Sequence, residues 1–318
     1  MGAVLDIVAP VLVIALAGYA LGRTSLLSPE GLRGFGNATF YILFACLLFR
    51  SMAKVRLETL DPSILLAFFG GALGVFGAML LVGRYALGMA APERAVLALS
   101  SSFSNGVGLG IPLVTLAFGE DGLVPLLMII SVHSLILLTL TSFLIELGQG
   151  AGRGGIGRTL LAATAAMFKH PVLPAIFAGL LWGALTARVP GLALPAVLDR
   201  AMALAAQAAA PCGLIMLGAS LAHVGFRGHW REGMLSAAVK LVALPALVYV
   251  LGRYVFRLDP LWLTVATIDA TLPAGANVYL IAQRYGAGVG LATNGVVLST
   301  LASVVTVSVA LMLLGVGA

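Results

Sequence analysis

The chain has 318 residues, of which 61% are apolar and only 9% charged. An ordinary soluble domain is about one quarter charged, and disorder requires low hydrophobicity, so both classes are excluded and a polytopic membrane protein remains. The net charge of +6 comes mostly from segments beside apolar runs and does not describe a nucleic-acid surface, and the two cysteines, Cys46 and Cys212, sit inside apolar runs rather than in a disulfide or metal framework.

A helix needs about 20 mostly apolar residues to cross a bilayer. Ten segments qualify: 4–22, 34–53, 62–88, 91–118, 122–147, 169–188, 195–223, 232–252, 259–285 and 289–315. The first lacks a basic start, carries Asp6 and shows no cleavage site before Arg23, so it reads as a transmembrane helix rather than a signal peptide. The stretch 149–168, rich in glycine and carrying Arg153 and Arg158, reads as a linker between residues 1–148 and 169–318. Ten spans put both termini on one side. Loops on that side hold Arg50, Lys54, Arg56, Arg188, Arg200, Arg253 and Arg257. The other side holds Arg23, Arg33, Arg84, Arg94, Arg153, Arg158, Lys169, Arg227, Arg231 and Arg284. Positive charge marks the cytoplasmic face. The expectation is a cell (inner) membrane protein with both termini outside and the linker inside.

The two halves match in order. "APVLVIALAGYALGR" at 9–23 aligns with "HPVLPAIFAGLLWGA" at 170–184, pairing Gly18 with Gly179 and Gly22 with Gly183. "GRY" at 83–85 aligns with "GRY" at 252–254, and Cys46 falls opposite Cys212. Each half holds five spans, an odd number, so the second half enters from the opposite face. The fold class expected is therefore an all-α membrane protein of ten helices in two inverted five-helix repeats, the form common in secondary transporters. Two similar halves that only pack a structural bundle are the alternative.

The fourth and ninth spans are broken. Carrying the GRY offset forward pairs Ser104-Asn105-Gly106 with Pro273-Ala274-Gly275. Irregular backbone at membrane depth is tolerated only inside protein or beside a wet cavity, so two unwound helices crossing each other are expected. Half-helix N-termini present N–H donors and partial positive charge, which suits an anionic group. Ser104, Asn105, Gly106, Pro273, Ala274, Gly275 and Asn277 are the candidate substrate-binding residues. Asn105 also reads as a helix cap, and the two roles are compatible.

Asp269, one turn before Pro273, and Lys240 in the eighth span are charges at membrane depth, which are costly and functional by default. A half-helix C-terminus and burial both disfavour a carboxylate charge at Asp269, which suits a proton carrier. The same acid beside free carbonyls suits sodium, and a structural Asp269–Lys240 ion pair is the third possibility. His133 reads as an interhelical hydrogen bonder rather than a relay. Ser299, Thr300, Ser303 and Thr306 form a polar stripe that packing explains as readily as a cavity wall does. Gln207 is a candidate to face the cavity, and the two cysteines fill space beside the crossing. No cofactor is expected beyond a coupling H+ or Na+.

The stretches "NGVGLGIPL", "KLVALPALVY", "LPAGANVYLIAQRYG" and "LSTLASVVTV" occur in this order in the fourth, eighth, ninth and tenth spans. In them the chain resembles the auxin efflux carrier family, which includes bacterial permeases. The resemblance implies crossing fourth and ninth helices, a fold related to bile-acid symporters, and organic-anion substrates such as indole acetate, malate or malonate. Some relatives are dimers, so a homodimer is left open. Plant members carry Pro-Asn where this chain has Ser104-Asn105, and many members have a proline near Ala45, whereas here Pro211 stands at the repeat-related place. The long cytoplasmic loop of the plant proteins is missing. The resemblance therefore implies the organic-anion class, not an indole-sized substrate. The expectation is a transporter and not an enzyme, since no HExxH, G-x-S-x-G or aspartate-rich diphosphate motif occurs. A membrane enzyme, a channel and a sensor are the competing classes.

Overall fold

The computed structural model describes residues 2–24, 26–55, 60–149, 172–189, 191–222 and 228–316. All of the expected linker 149–168 except Gln149 lies outside the described residues, as do Arg56 and Arg227. Among the described residues the chain is all-helical, with one isolated antiparallel bridge, Ser104 to Ala274. The helices are α1 (Gly2–Gly22), α2 (Pro29–Ala38), α3 (Ala45–Ala53), α4 (Ser63–Tyr85), α5 (Ala91–Ser102), α6 (Ile111–Gly148), α7 (Val172–Arg188), α8 (Ala196–Leu221), α9 (Trp230–Ala238), α10 (Leu244–Val250), α11 (Pro260–Thr271), α12 (Asn277–Tyr285) and α13 (Val289–Leu313). Turns of π-helix at Thr39–Phe44, Gly106–Gly110 and Val239–Ala243 connect α2 to α3, enter α6, and connect α9 to α10.

Among the described residues, six helical stretches are long and apolar enough to cross a membrane, and Val8–Gly22 is a shorter apolar one. Part of the difference from ten segments has a physical cause. The fourth and ninth segments are interrupted, so α5 and α11, at 12 residues each, are too short to count. The fourth and fifth segments also merge, because α6 runs on through a kink at Gly119. That residue has φ 62° and ψ −146°, a region essentially closed to residues with a Cβ. The chain is a multi-pass membrane protein.

Local sequence sets the half-helices. α5 and α11 both carry a proline in the first turn, Pro92 as the second residue and Pro260 as the first, where its fixed φ suits a helix start. Asp259 caps α11 by accepting from Leu261 N–H at 2.9 Å. Both helices stop where the next residue, Phe103 or Leu272, turns extended.

Two apolar clusters organise the packing. One joins α4, α5, α10, α11, α12 and the later part of α6, through side chains such as Phe68, Leu97, Ile129, Val248 and Ala266. The other sets α1, α3, α7 and α8 against the crossing, with Val11, Leu48, Ile176 and Leu214 meeting Ile111, Leu126 and Leu272. Within the second cluster, glycine lets backbones touch. A Cβ on Gly22 of α1 would stand 2.7 Å from Ala219 O of α8. On Gly179 or Gly183 of α7 it would stand 2.5 Å from Phe49 O or 2.7 Å from Ala53 O, at the α3 end. Gly18 likewise abuts Ile215 O, and Gly218 abuts Ala15 O. Small residues drive such contacts in lipid, where burial alone gives no preference for protein over lipid. The spacing is regular: Gly18 and Gly179 differ by the same count as Gly22 and Gly183. Their partners Phe49 and Ile215 differ by the same count as Cys46 and Cys212.

Candidate site at the helix crossing

The breaks in α5–α6 and α11–α12 meet as two short extended segments running antiparallel. Asn105 N–H donates to Pro273 O at 2.9 Å, and Gly275 N–H donates to Phe103 O at 3.4 Å. Ser104 therefore faces Ala274, as expected when two equivalent segments meet about a local two-fold axis. A Cβ on Gly275 would lie 2.8 Å from the Phe103 ring, so this close approach requires glycine.

Unwinding frees backbone donors that lipid cannot satisfy, and neighbouring helices accept them. Ala274 N–H donates to Ser299 Oγ of α13 at 3.0 Å. Ser104 N–H donates to His133 Nε2 of α6 at 3.5 Å, and the imidazole stacks on Phe103 with centroids 4.4 Å apart. His133 is thus the interhelical bonder expected of it. Within the polar stripe Ser299 reaches the crossing. Thr300 and Ser303 bond to carbonyls of their own helix. Ser299 and His133 serve the backbone of the break, a role that sequence periodicity does not distinguish from packing.

Asn105 caps the π-turn, its Oδ1 accepting from Gly108 N–H at 3.1 Å. Asn277 is the first residue of α12, whose N-cap, Ala276, makes no side-chain capping bond. Asn105 and Asn277 are half-buried and Ala276 is exposed, so the N-terminal ends of the two half-helices are reachable. Ser104, Gly106, Pro273, Ala274 and Gly275 are buried in the crossing itself.

Lys240 and Asp269 lie behind the crossing, both fully buried. Lys240 Nζ, on the π-turn Val239–Ala243, donates to Ala270 O and Leu272 O, each at 2.7 Å. An ammonium thus closes the C-terminal end of α11, where carbonyls are unpaired and the helix dipole is negative. Among the described residues, neither oxygen of Asp269 has a hydrogen-bond partner, nor does Ser104 Oγ. The Asp269 carboxyl faces the glycines of the first π-turn: a Cβ on Gly106 would lie 2.8 Å from Oδ1, and one on Gly110 3.5 Å.

The remaining candidates fall elsewhere. Gln207 is exposed on α8. Cys46 lines an apolar groove with Tyr41, Phe49, Ala175 and Met202. Two ion pairs, Arg50–Asp199 and Lys54–Glu120, tie α3 to the start of α8 and to the kink of α6.

A family model described as "Membrane transport protein" matches residues 3–153 and 158–311. A protein of Rhizobium meliloti (strain 1021) named "Putative malonate transporter" is 27% identical over 319 residues, an alignment spanning 100% of this chain and 98% of that one. With the match interrupted only inside the glycine-rich stretch and covering every residue of the crossing, the chain belongs to the membrane transport protein family, the family of the auxin efflux carriers.

Proposed function

We propose that the protein is a secondary transporter of small organic anions, carboxylates such as malonate or malate, working by alternating access. The carrying observation is a reachable crossing where two half-helices end with their N-termini toward a common point, one of them without a side-chain cap. Such ends attract a carboxylate without a fixed counter-charge. The relative's name points to the same substrate class. In this reading the ten segments form two inverted repeats, 1–148 and 169–318, with the termini outside and the linker in the cytoplasm. The regular spacing of the glycine contacts supports the repeat, and the close backbone contacts that α1, α3, α7 and α8 make with one another support a body able to move against the rest. Substrate would meet Ser104, Asn105, Gly106, Pro273, Ala274, Gly275 and Asn277, and a coupling ion would sit at Asp269 beside Lys240.

Counterflow in proteoliposomes tests the function. Labelled malonate or malate is expected to exchange against the same anion inside, in the absence of any ion gradient. Exchange of neither, by protein shown to be folded and inserted, overturns the reading. Steady single-channel current would instead identify a channel.

Two mutational outcomes follow. Asn105→Ala is expected to weaken anion binding about tenfold or more, since a hydrogen bond to a charged group contributes roughly 1.5–3 kcal/mol. Asn105→Asp separates contact from capping. Aspartate caps as well as asparagine, so melting should hold while binding is lost to charge repulsion. Calorimetric titration reads both, and unchanged affinity in Asn105→Ala would leave Asn105 a cap alone. Removing about half of residues 149–158 should leave flux near normal, because loop length enters the closure cost only logarithmically. Loss of flux in a well-inserted deletion variant would count against two bodies joined by a passive linker.

A further inference from the structure

We infer that the ion taken up behind the crossing is a proton on Asp269, and that Lys240 holds the place a metal cation would need. This rests on the proposed transport role for its link to substrate, but the site itself is read from its own atoms.

A hard cation binds through several oxygens at once. The carbonyls at the end of α11, beside Asp269, are the natural donors. Ala270 O and Leu272 O are both engaged by Lys240 Nζ at 2.7 Å. The ammonium also supplies the positive charge that this negative helix end attracts. A sodium ion would have to displace it or sit against it. A proton needs neither: it needs a carboxylate oxygen without a partner, and Asp269 has two. Gly106 and Gly110 leave the carboxyl facing bare backbone, on the same π-turn that Asn105 caps.

The surroundings hold little else that titrates. Of the elements packed against α11, the π-turn Val239–Ala243 brings Lys240. α6 brings His133, whose Nε2 is engaged with Ser104, and carries Glu120, Asp121 and Glu146 away from the crossing turn. α10 brings Tyr249, α4 has Arg84 and Tyr85 at its end, and α13 and the π-turn Gly106–Gly110 bring no charged residue.

Charge counting then links the proton to substrate. With the crossing empty, Lys240 ammonium and Asp269 carboxylate sum to zero. A monoanionic carboxylate arriving at the half-helix ends, such as hydrogen malonate, adds one negative charge to a low-dielectric site. One proton taken from cavity water, or from a buffer acid there, forms an O–H bond on Asp269 and restores neutrality. No other bond changes, and Lys240 keeps its protons. On the opposite side both leave, so proton and anion move together.

The first test needs no substrate. Infrared difference spectra of the protein in bilayers, acid minus alkaline, are expected to show the carbonyl stretch of a protonated carboxylic acid. It should vanish in Asp269→Asn and persist, shifted, in Asp269→Glu. Replacing potassium by sodium should change neither that band nor the melting temperature. A sodium-dependent rise in melting temperature that Asp269→Asn abolishes would overturn the inference, as would wild-type spectra lacking the band. The second test uses malonate counterflow. An inward proton gradient should drive accumulation several-fold in the wild type; that gain should be lost in Asp269→Asn and kept in Asp269→Glu. Accumulation driven by sodium, or exchange indifferent to both gradients, would also overturn it. Absence of any exchange bears on the transport reading instead, and the infrared result stands by itself.

Discussion

Lys240→Met is expected to lower the melting temperature by on the order of 10 °C. Methionine matches the length of the stem but donates no hydrogen bond. Ala270 O and Leu272 O lose the ammonium that each accepts from at 2.7 Å, and a buried acceptor left empty costs about 1–3 kcal/mol. The substitution also removes the positive charge beside fully buried Asp269. The survivor, Asp269, makes no hydrogen bond to Lys240, so what it loses is the field of a nearby ammonium, a part of the roughly 3–5 kcal/mol that deleting one partner of a contacting buried pair costs. The double variant with Asp269→Asn removes the survivor at nearly constant volume. It should recover the charge part of the loss and not the carbonyl part, giving a melting temperature between the single variant and the wild type. Thermal unfolding of wild type, single and double variants in one detergent reads this directly. A double variant no more stable than Lys240→Met would mean that Lys240 acts on the helix end alone and not on Asp269.

Gly218→Ala is expected to cost nearly as much, for a steric reason. The added methyl lands on Ala15 O of α1, a backbone atom that cannot rotate aside. Overpacking typically costs about 1–3 kcal/mol, and a carbonyl partner places this site at the upper end. The loss should appear as a drop of several degrees and as protease sensitivity of α1. Gly179→Ala, against Phe49 O, should behave alike. Gly77→Ala is the internal control. It lies in α4 with nothing within 4 Å of its added Cβ, and alanine there gains helix propensity of about 0.5–1 kcal/mol. Equal melting of the Gly77 and Gly218 variants would remove the steric basis for the seam.

Much of the crossing was legible because its chemistry is local. Gly106, Gly108, Gly110 and Pro112 in one segment, and Pro273 and Gly275 in the other, are residue types that interrupt helices wherever they fall together. The GRY offset carried forward put the two breaks opposite each other, and Ser104 and Ala274 indeed form a bridge. What Lys240 touches could not be read this way. Its reach depends on the π-turn at Val239–Ala243, which rotates the following residues away from the 3.6-residue phase. Its acceptors lie some thirty residues on, at a distance set by packing. His133 and Ser299 were visible as polar residues in apolar helices, yet what they satisfy is an N–H created by a break elsewhere in the chain. The glycine contacts show the opposite case. Aligning the halves singled out Gly18, Gly22, Gly179 and Gly183, but the alignment carries no information on which helix each one faces.

The way those glycines face sets a schedule for synthesis. Gly18 and Gly22 of α1 rest on α8, and Gly179 and Gly183 of α7 rest on the α3 end. Neither α1 nor α7 thus makes these backbone contacts with a helix of its own half. Gly18 must wait for Ile215, 197 residues downstream. At about 5–20 residues per second of ribosomal elongation, that wait is roughly 10–40 s. During it the side of α1 that faces α8 stands in lipid with a bare backbone groove. Any small-residue helix of a neighbouring nascent chain then competes for that groove, including α8 of a second copy already made. Crowded translation on one messenger therefore favours exchange of α1 between chains, and slower initiation, which spaces the ribosomes, is the condition under which each chain closes on itself.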